Sequence, residues 1–187
     1  MQIERLAVPD ALLIIPDRFE DERGYFSETY SARALREAIG DLRFVQDNQS
    51  LSAAAFTLRG LHCQTPPHGQ AKLVRVLRGR ALDVAVDVRR GSPTFGKWAS
   101  VELTAERGEQ IFVPEGFLHG FLTLEPDTEV FYKTTAFYDK GSDVAVNWAD
   151  ADLAIDWGVD ATEMTLSDRD RAAQSFAAFN SPFEYGT

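Results

Sequence analysis

The chain has 187 residues, 44% of them hydrophobic, with thirteen Phe, five Tyr and three Trp, which supplies the core of one domain over 1–187 and requires no second. A formal charge of -10 and a pI near 4.7 argue against general affinity for nucleic acid or an anionic membrane, although a local basic cluster can still hold a phosphate. The apolar run Ala11–Ile15 is too short for a signal or spanning segment, so a cytoplasmic protein is expected, and the single Cys63 leaves no internal disulfide and no multi-cysteine metal site.

In chain order, Met1–Ile15 reads as one or two strands ending at Pro16. The charged and aromatic stretch RFEDERGYFSETYS reads as a surface loop, broken at Gly24 and anchored by Phe19, Tyr25 and Phe26. Within it Arg23 stands out, because a planar fork of donors suits phosphate or carboxylate. Ser31 then caps a helix, with Ala34, Leu35, Ala38 and Ile39 at helical spacing and Gly40 as the stop. From Phe44 the period changes to two. FVQDNQSLS, AFTLRGLHCQ, AKLVRVLRG, ALDVAVDVRR, KWASVELTA, EQIFVPEG, LHGFLTLE and EVFYKTTAFY are short, β-branched or aromatic, and separated by Gly, Pro or charged turns. Such spacing without intervening helices predicts an all-β sandwich or barrel with a few short peripheral helices. After Asp139 the pattern loosens into VNWADADLAIDWG, where Trp148 and Trp157 are expected to cap the barrel edge. LSDRDRAAQSFAAF, with a Ser cap before an alanine-rich run, reads as a short C-terminal helix.

The stretch Leu58–Arg75 places Arg59, His62, Gln64 and Lys72 where packing alone would favour apolar residues. Strand alternation puts Leu58, Gly60, His62 and Gln64 on one side, and Lys72, Val74 and Val76 on one side of the next strand. If those faces meet, an imidazole and an ammonium share a cavity. Arg59 has the wrong parity, but Gly60 can bulge and re-aim it. A polar outer face with a solvated histidine would explain the same residues. Cys63 reads as a small buried thiol, with a nucleophile as the rarer alternative.

Only His62, His68 and His119 are available as imidazoles. The spacing Gly108-x5-Pro114-x-Gly116-x2-His119 resembles the second cupin motif, which implies a jelly-roll barrel. Metal-binding cupins carry H-x-H in the first motif, where this chain has His62-Cys63-Gln64. A third ligand would have to come from Glu115, Gln64 or Cys63, and no metal is expected. Without one, an imidazole beside Lys, Tyr and Asp can move protons. The candidate carboxylates are Asp83, Asp168 and Asp170. Tyr132 is a candidate acid, and Lys72 a fixed charge for an enolate oxygen.

DERGYFSE, QDNQS, LRGLHCQ, QAKLVRVLRGRALDVAVDVRRGSPTFGKW, VPEGFLHGF, YKTTAFY, NWADADLAIDWG and LSDRD resemble, in order and spacing, the dTDP-4-dehydrorhamnose 3,5-epimerases of deoxysugar biosynthesis. The resemblance implies a cupin-type jelly roll, a homodimer that exchanges N-terminal strands, and cofactor-free epimerisation at C3 and C5 of a dTDP-linked 4-keto-6-deoxy sugar. By the same resemblance His62 is the base, Asp170 its partner, Tyr132 the acid and Lys72 the residue beside the keto oxygen. His119 with Asp83 resembles a second dyad on the sugar side. Arg59 and Arg23 match residues that hold the pyrophosphate, and Gln46 and Asn48 lie on the nucleotide side. Phe26, Glu28 and Tyr138 line the thymidine and sugar pockets, and Gln64 is counted with the substrate-binding set. Cys63 in place of an aromatic, Ala172-Ala173 in place of Ala-Pro, and SAAAFT before Leu58 depart from the family pattern. A single-carbon epimerase on a related dTDP-keto sugar, a non-catalytic nucleotide-sugar-binding cupin and a metal cupin are the alternatives.

Overall fold

Alternating apolar residues are resolved into two facing antiparallel sheets in a computed structural model, which describes residues 1–186; Thr187, the last residue of the expected 1–187 domain, lies outside them. The first half contains β1 (Gln2–Arg5), β2 (Leu12–Ile15), β3 (Phe19–Asp21), β4 (Gly24–Phe26), α1 (Ala32–Ile39), β5 (Gln46–Ser52), β6 (Leu58–Gln64) and β7 (Lys72–Arg78). Then come β8 (Arg80–Asp87), β9 (Trp98–Thr104), β10 (Gln110–Val113), β11 (Phe117–Thr123), β12 (Thr128–Thr134), β13 (Asp143–Ala145) and α2 (Asp168–Arg171). One sheet runs β1-β2-β10-β7-β12-β5 and the other β13-β6-β11-β8-β9, a two-sheet sandwich as the strand spacing predicts, with the jelly-roll arrangement that the cupin resemblance implies.

Between the sheets, Val74 and Val76 of β7 and Val130 of β12 meet Ala85 of β8, Leu103 of β9 and Phe117 of β11 in one cluster. Both outer faces are partly covered as well. Leu35 of α1 packs on Leu12, Ile14, Leu73 and Phe112 of the six-stranded sheet. The segment after β13 lays Leu153, Trp157, Phe179 and Phe183 on Leu61, Val84, Val86 and Leu118 of the five-stranded sheet. All seven residues of β11 are therefore buried. A strand covered on both faces holds its side chains in fixed rotamers, as a site built on it requires.

Several expectations need correction. Trp148 and Trp157 pack on a sheet face rather than capping the barrel edge, and the Trp157 indole N–H donates to the Trp148 carbonyl at 3.1 Å. The C-terminal helix is only Asp168–Arg171. Beyond it the Asn147 N–H bonds to the Gln174 carbonyl and the Phe176 N–H to the Asp150 carboxylate, so the chain leaves the helix to bring Phe176 and Phe179 onto the sheet. RFEDERGYFSETYS contains the hairpin β3–β4, and its rings do not anchor it: Phe19, Tyr25 and Phe26 are 64%, 59% and 70% exposed. In α1, Ser31 and Gly40 mark the ends as expected, but the Ser31 side chain makes no capping hydrogen bond, and Ala34 and Ala38 are exposed while Leu35 is buried.

Candidate active site

The site starts from a bulge in β6. Opposite β11, His62 pairs with His119 but Arg59 pairs with Phe121, so three steps on β6 face two on β11. Gly60 lies in the extra span at φ 146°, and a Cβ there would sit 2.5 Å from the Gly120 Cα. Only a residue without a side chain fits so close a backbone crossing. The inserted residue reverses the alternation, so Arg59 and His62, three apart, line one cavity. Leu58 reaches the edge of the same cavity and also packs with Leu61 and Cys63 under the C-terminal segment. There Cys63 is buried, which pushes its thiol up to about 12 and leaves it no nucleophile at neutral pH.

The cavity, of about 530 Å³, is lined by Arg59, His62, Lys72, His119, Phe121, Tyr132, Arg169 and Asp170 among others. An adjoining space of about 220 Å³ shares His62, Lys72, Tyr132 and Arg169 with it and adds Gln46, Asn48, Gln64, Tyr138 and Asp143. Thus residues from β5, β6, β7, β11 and β12 and from the α2 segment converge. His62 Nε2 lies 2.6 Å from Asp170 Oδ1, with the histidine side chain 25% exposed to the cavity and the carboxylate 5% exposed. His119 Nε2 lies 2.9 Å from both oxygens of Asp83, a dyad buried behind the first. Asp168, the other candidate on α2, is exposed and is not the carboxylate that meets His62.

Removal from water tunes these groups. Burial lowers the Lys72 ammonium and raises the Tyr132 phenol from their ordinary values. It also lowers His119, although the Asp83 carboxylate pulls the other way. At Asp170 burial favours the neutral acid, but hydrogen bonds from His62 and Ser167 outweigh it and hold the group below the usual carboxylate range. An ionised Asp170 on Nε2 fixes one tautomer of His62 and leaves Nδ1 to take a proton. Lys72 Nζ, 6.0 Å from the Tyr132 ring centre, sets positive charge beside the phenol.

Other expected site residues fall into two groups. Arg59 is aimed by hydrogen bonds to Ser52 Oγ and the Leu51 carbonyl, both 3.2 Å. Gln46 bonds Asn48 at 2.9 Å and accepts from the Tyr138 N–H at 3.1 Å. Gln64 donates to the carbonyls of His68 and Phe137 and accepts from the Asp139 N–H, so its amide is engaged in holding the loop that carries Tyr138. Arg23, Phe26 and Glu28, by contrast, are exposed at the β3–β4 hairpin and line neither space of their own chain. Phe121, Asp143, Ser167 and Arg169 line the two spaces and were missed. Arg169 and Ser167 had a signal, since both sit in the LSDRD run with Asp170, whereas Asp143 had none. Among the described residues no three His, Cys, Asp or Glu side chains are placed to hold a metal ion. Of the candidate third ligands, Glu115 lines a separate groove with Arg89.

Comparisons with known proteins identify the family and the fold. The family model for dTDP-4-dehydrorhamnose 3,5-epimerase matches residues 5–178. A dTDP-4-dehydrorhamnose 3,5-epimerase from Sinorhizobium fredii is 46% identical over 185 residues, 99% of this chain and 94% of its own length. The dTDP-6-deoxy-D-glucose-3,5-epimerase from Legionella pneumophila, solved in complex with dTDP-4-keto-L-rhamnose, superposes with a TM-score of 0.91 at 40% identity, covering 96% of this chain and 94% of that one. A 3'-monoepimerase from Streptomyces bikiniensis, solved with dTDP-quinovose, superposes with a TM-score of 0.86 at 38% identity over 92% and 87% of the two chains. With a family match over 174 of its residues (5–178) and a relative 46% identical over 99% of its length, the chain belongs to the dTDP-4-dehydrorhamnose 3,5-epimerase family.

Proposed function

We propose that the chain converts dTDP-4-dehydro-6-deoxy-D-glucose to dTDP-4-dehydro-L-rhamnose by inverting C3 and C5. The observation that carries this reading is the placement of the His62–Asp170 dyad, Lys72 and Tyr132 around one cavity. Both carbons flank the C4 carbonyl, so either C–H is acidic enough for a neighbouring imidazole. His62 takes the proton, the electron pair passes to O4 as an enolate, and Lys72 stabilises the negative oxygen. Tyr132 then gives its proton to the carbon from the opposite face, which inverts the centre, and before the second inversion the phenolate regains a proton from solvent while the His62 imidazolium releases one to it. Asp170 steadies the imidazolium formed meanwhile. The sugar's oxidation level does not change, so the reaction calls for no redox cofactor, and the role of each residue is part of the proposal. Arg59, with Gln46, Asn48 and Tyr138, is assigned to the diphosphate and nucleoside, and the His119–Asp83 dyad to the sugar.

Incubation with the sugar nucleotide in D2O, read by mass spectrometry and proton NMR, is expected to place deuterium at C3 and C5. Deuterium at C3 alone would select the single-carbon reading, which the likeness to the 3'-monoepimerase favours as the second choice. Nucleotide binding with no exchange would select the non-catalytic cupin.

Arg23, Phe26 and Glu28 enter the same proposal through a second copy of the chain. A hairpin that exposes Phe19, Tyr25 and Phe26 leaves about two-thirds of each ring in water, a pattern of interfaces rather than free surfaces. We assign it to the neighbouring subunit of a homodimer that exchanges N-terminal strands, with Arg23 reaching the partner's bound diphosphate. Sedimentation should give the mass of two chains, and Phe26→Ser should raise KM several-fold more than it lowers kcat. A fully active monomer would refute the assignment. Among the described residues no helix is long and apolar enough to cross a membrane, and a cytoplasmic location belongs to this proposal.

A further inference from the structure

We infer that Ser167 is a positioning residue for the proton-transfer dyad: its hydroxyl donates to Asp170 Oδ2 and so fixes which carboxylate oxygen meets His62. The inference rests on the proposed roles of His62 and Asp170. Its basis is the division of labour at one carboxylate. Ser167 Oγ lies 2.8 Å from Oδ2, while Oδ1 lies 2.6 Å from His62 Nε2. The same Oγ accepts the Asp170 backbone N–H at 3.1 Å as the cap of α2. One hydroxyl thus fixes both the backbone and the side-chain torsion of Asp170. A carboxylate with a single donor can swing about its last torsion; one held at both oxygens cannot.

The surrounding connections show that Ser167 is itself held against the strand that carries the histidine. The Leu58 N–H donates to the Thr165 carbonyl and the Thr165 N–H to the Phe56 carbonyl, both at 2.9 Å, so the segment before Ser167 is laced to the start of β6. On the other side Arg169 meets Asp143 of β13 at 2.7 Å, and β13 pairs with β6. Both halves of the dyad are therefore referred to one strand, with Ser167 as the last link to the carboxylate. Charged groups around Asp170 are His62 from β6 and Arg169 from its own helix, the latter engaged with Asp143. Helix capping alone would account for the backbone contact. It does not require the hydroxyl proton to lie on Oδ2, and it would leave the titration of the dyad unchanged if lost.

That difference supplies the test. Ser167→Ala and Ser167→Thr are compared with the wild-type chain for deuterium wash-in at C3 and C5 across pH 5–9, together with thermal unfolding. In the alanine variant kcat should fall roughly ten- to a hundredfold, the loss of one hydrogen bond to a charged group, with KM nearly unchanged. The acid limb of kcat/KM should move to higher pH, because a carboxylate deprived of a donor binds a proton more readily and so does the dyad as a unit. Threonine, which keeps the hydroxyl, should restore both. An alanine variant that melts earlier but keeps the wild-type acid limb and kcat would overturn the inference and leave Ser167 as a helix cap. Threonine failing to restore the limb while folded would overturn it too. Absence of exchange in the wild-type chain would instead bring down the proposed function itself.

Discussion

His62→Ala is expected to lower the rate of deuterium wash-in by about 10³-fold, within the range for loss of a positioned general base. The effect is large because no other side chain can take over. His119, the other imidazole in the cavity, is 6% exposed and has its Nε2 on Asp83, and burial lowers its affinity for a proton. Removing His62 also leaves Asp170 Oδ1 without its donor in a place where the carboxylate is 5% exposed, so the remaining acid should bind a proton more readily than in the intact dyad. Stability should change little, since a quarter of the His62 side chain already faces the cavity and water can enter the space it leaves. Binding of dTDP should persist because Arg59, Gln46 and Asn48 lie elsewhere on the wall. The measurement is exchange at C3 and C5 at saturating substrate, with dTDP affinity by calorimetry as the control. Exchange remaining within tenfold of wild type would remove His62 as the base.

Gly60→Ala should be the most damaging single change to fold and site together. The added Cβ would meet the Gly120 Cα at 2.5 Å, backbone against backbone, at a φ of 146° that L-residues rarely adopt. Strain and overlap together should cost on the order of 3 kcal/mol or more in denaturant unfolding. Gly91→Ala is the matched control: its φ of 81° is also left-handed, but its Cβ would have nothing within 4 Å, so about 1 kcal/mol is expected. Any Gly60→Ala protein that folds must open the β6–β11 crossing or straighten the bulge. Either move turns Arg59 away from His62, so exchange should fall further than the folded fraction does. Equal destabilisation by the two substitutions would mean that the crossing is not tight.

The dyads illustrate how much of the site could be read in advance. His62 and Lys72 stood out because each is a polar residue in a period-two strand where packing alone favours apolar ones, and alternation brings them together only if the two faces meet; Tyr132 stood out as a candidate acid on a neighbouring strand. Asp170 was one of three candidate carboxylates. The choice among them depends on where a four-residue helix lands on β6, and hydrogen bonds from Thr165 and Arg169 fix that landing over a hundred residues along the chain from His62. The C-terminal segment misled for a related reason. Alanine content favours a helix, but Phe176 and Phe179 gain more by burial on the sheet than the helix would gain by continuing. In the β3–β4 stretch the aromatics read as anchors, because a sequence carries no mark that distinguishes a ring buried in the core from one left exposed on a hairpin.

The sequence by itself determined the all-β class and the approximate places of the longer strands, because those follow from local alternation and turn chemistry, but not the β3–β4 hairpin or β13. It also determined the family, because long motifs in fixed order leave little room for another. Only the tertiary structure decided which face Arg59 joins and that Arg23, Phe26 and Glu28 lie outside their own cavity, while the pairs His62–Asp170 and His119–Asp83 are those the family resemblance implied. Those outcomes depend on one extra residue in the pairing of β6 with β11 and on where distant segments dock. Such contacts are set by the summed packing of the whole chain, and no short stretch of it encodes them alone.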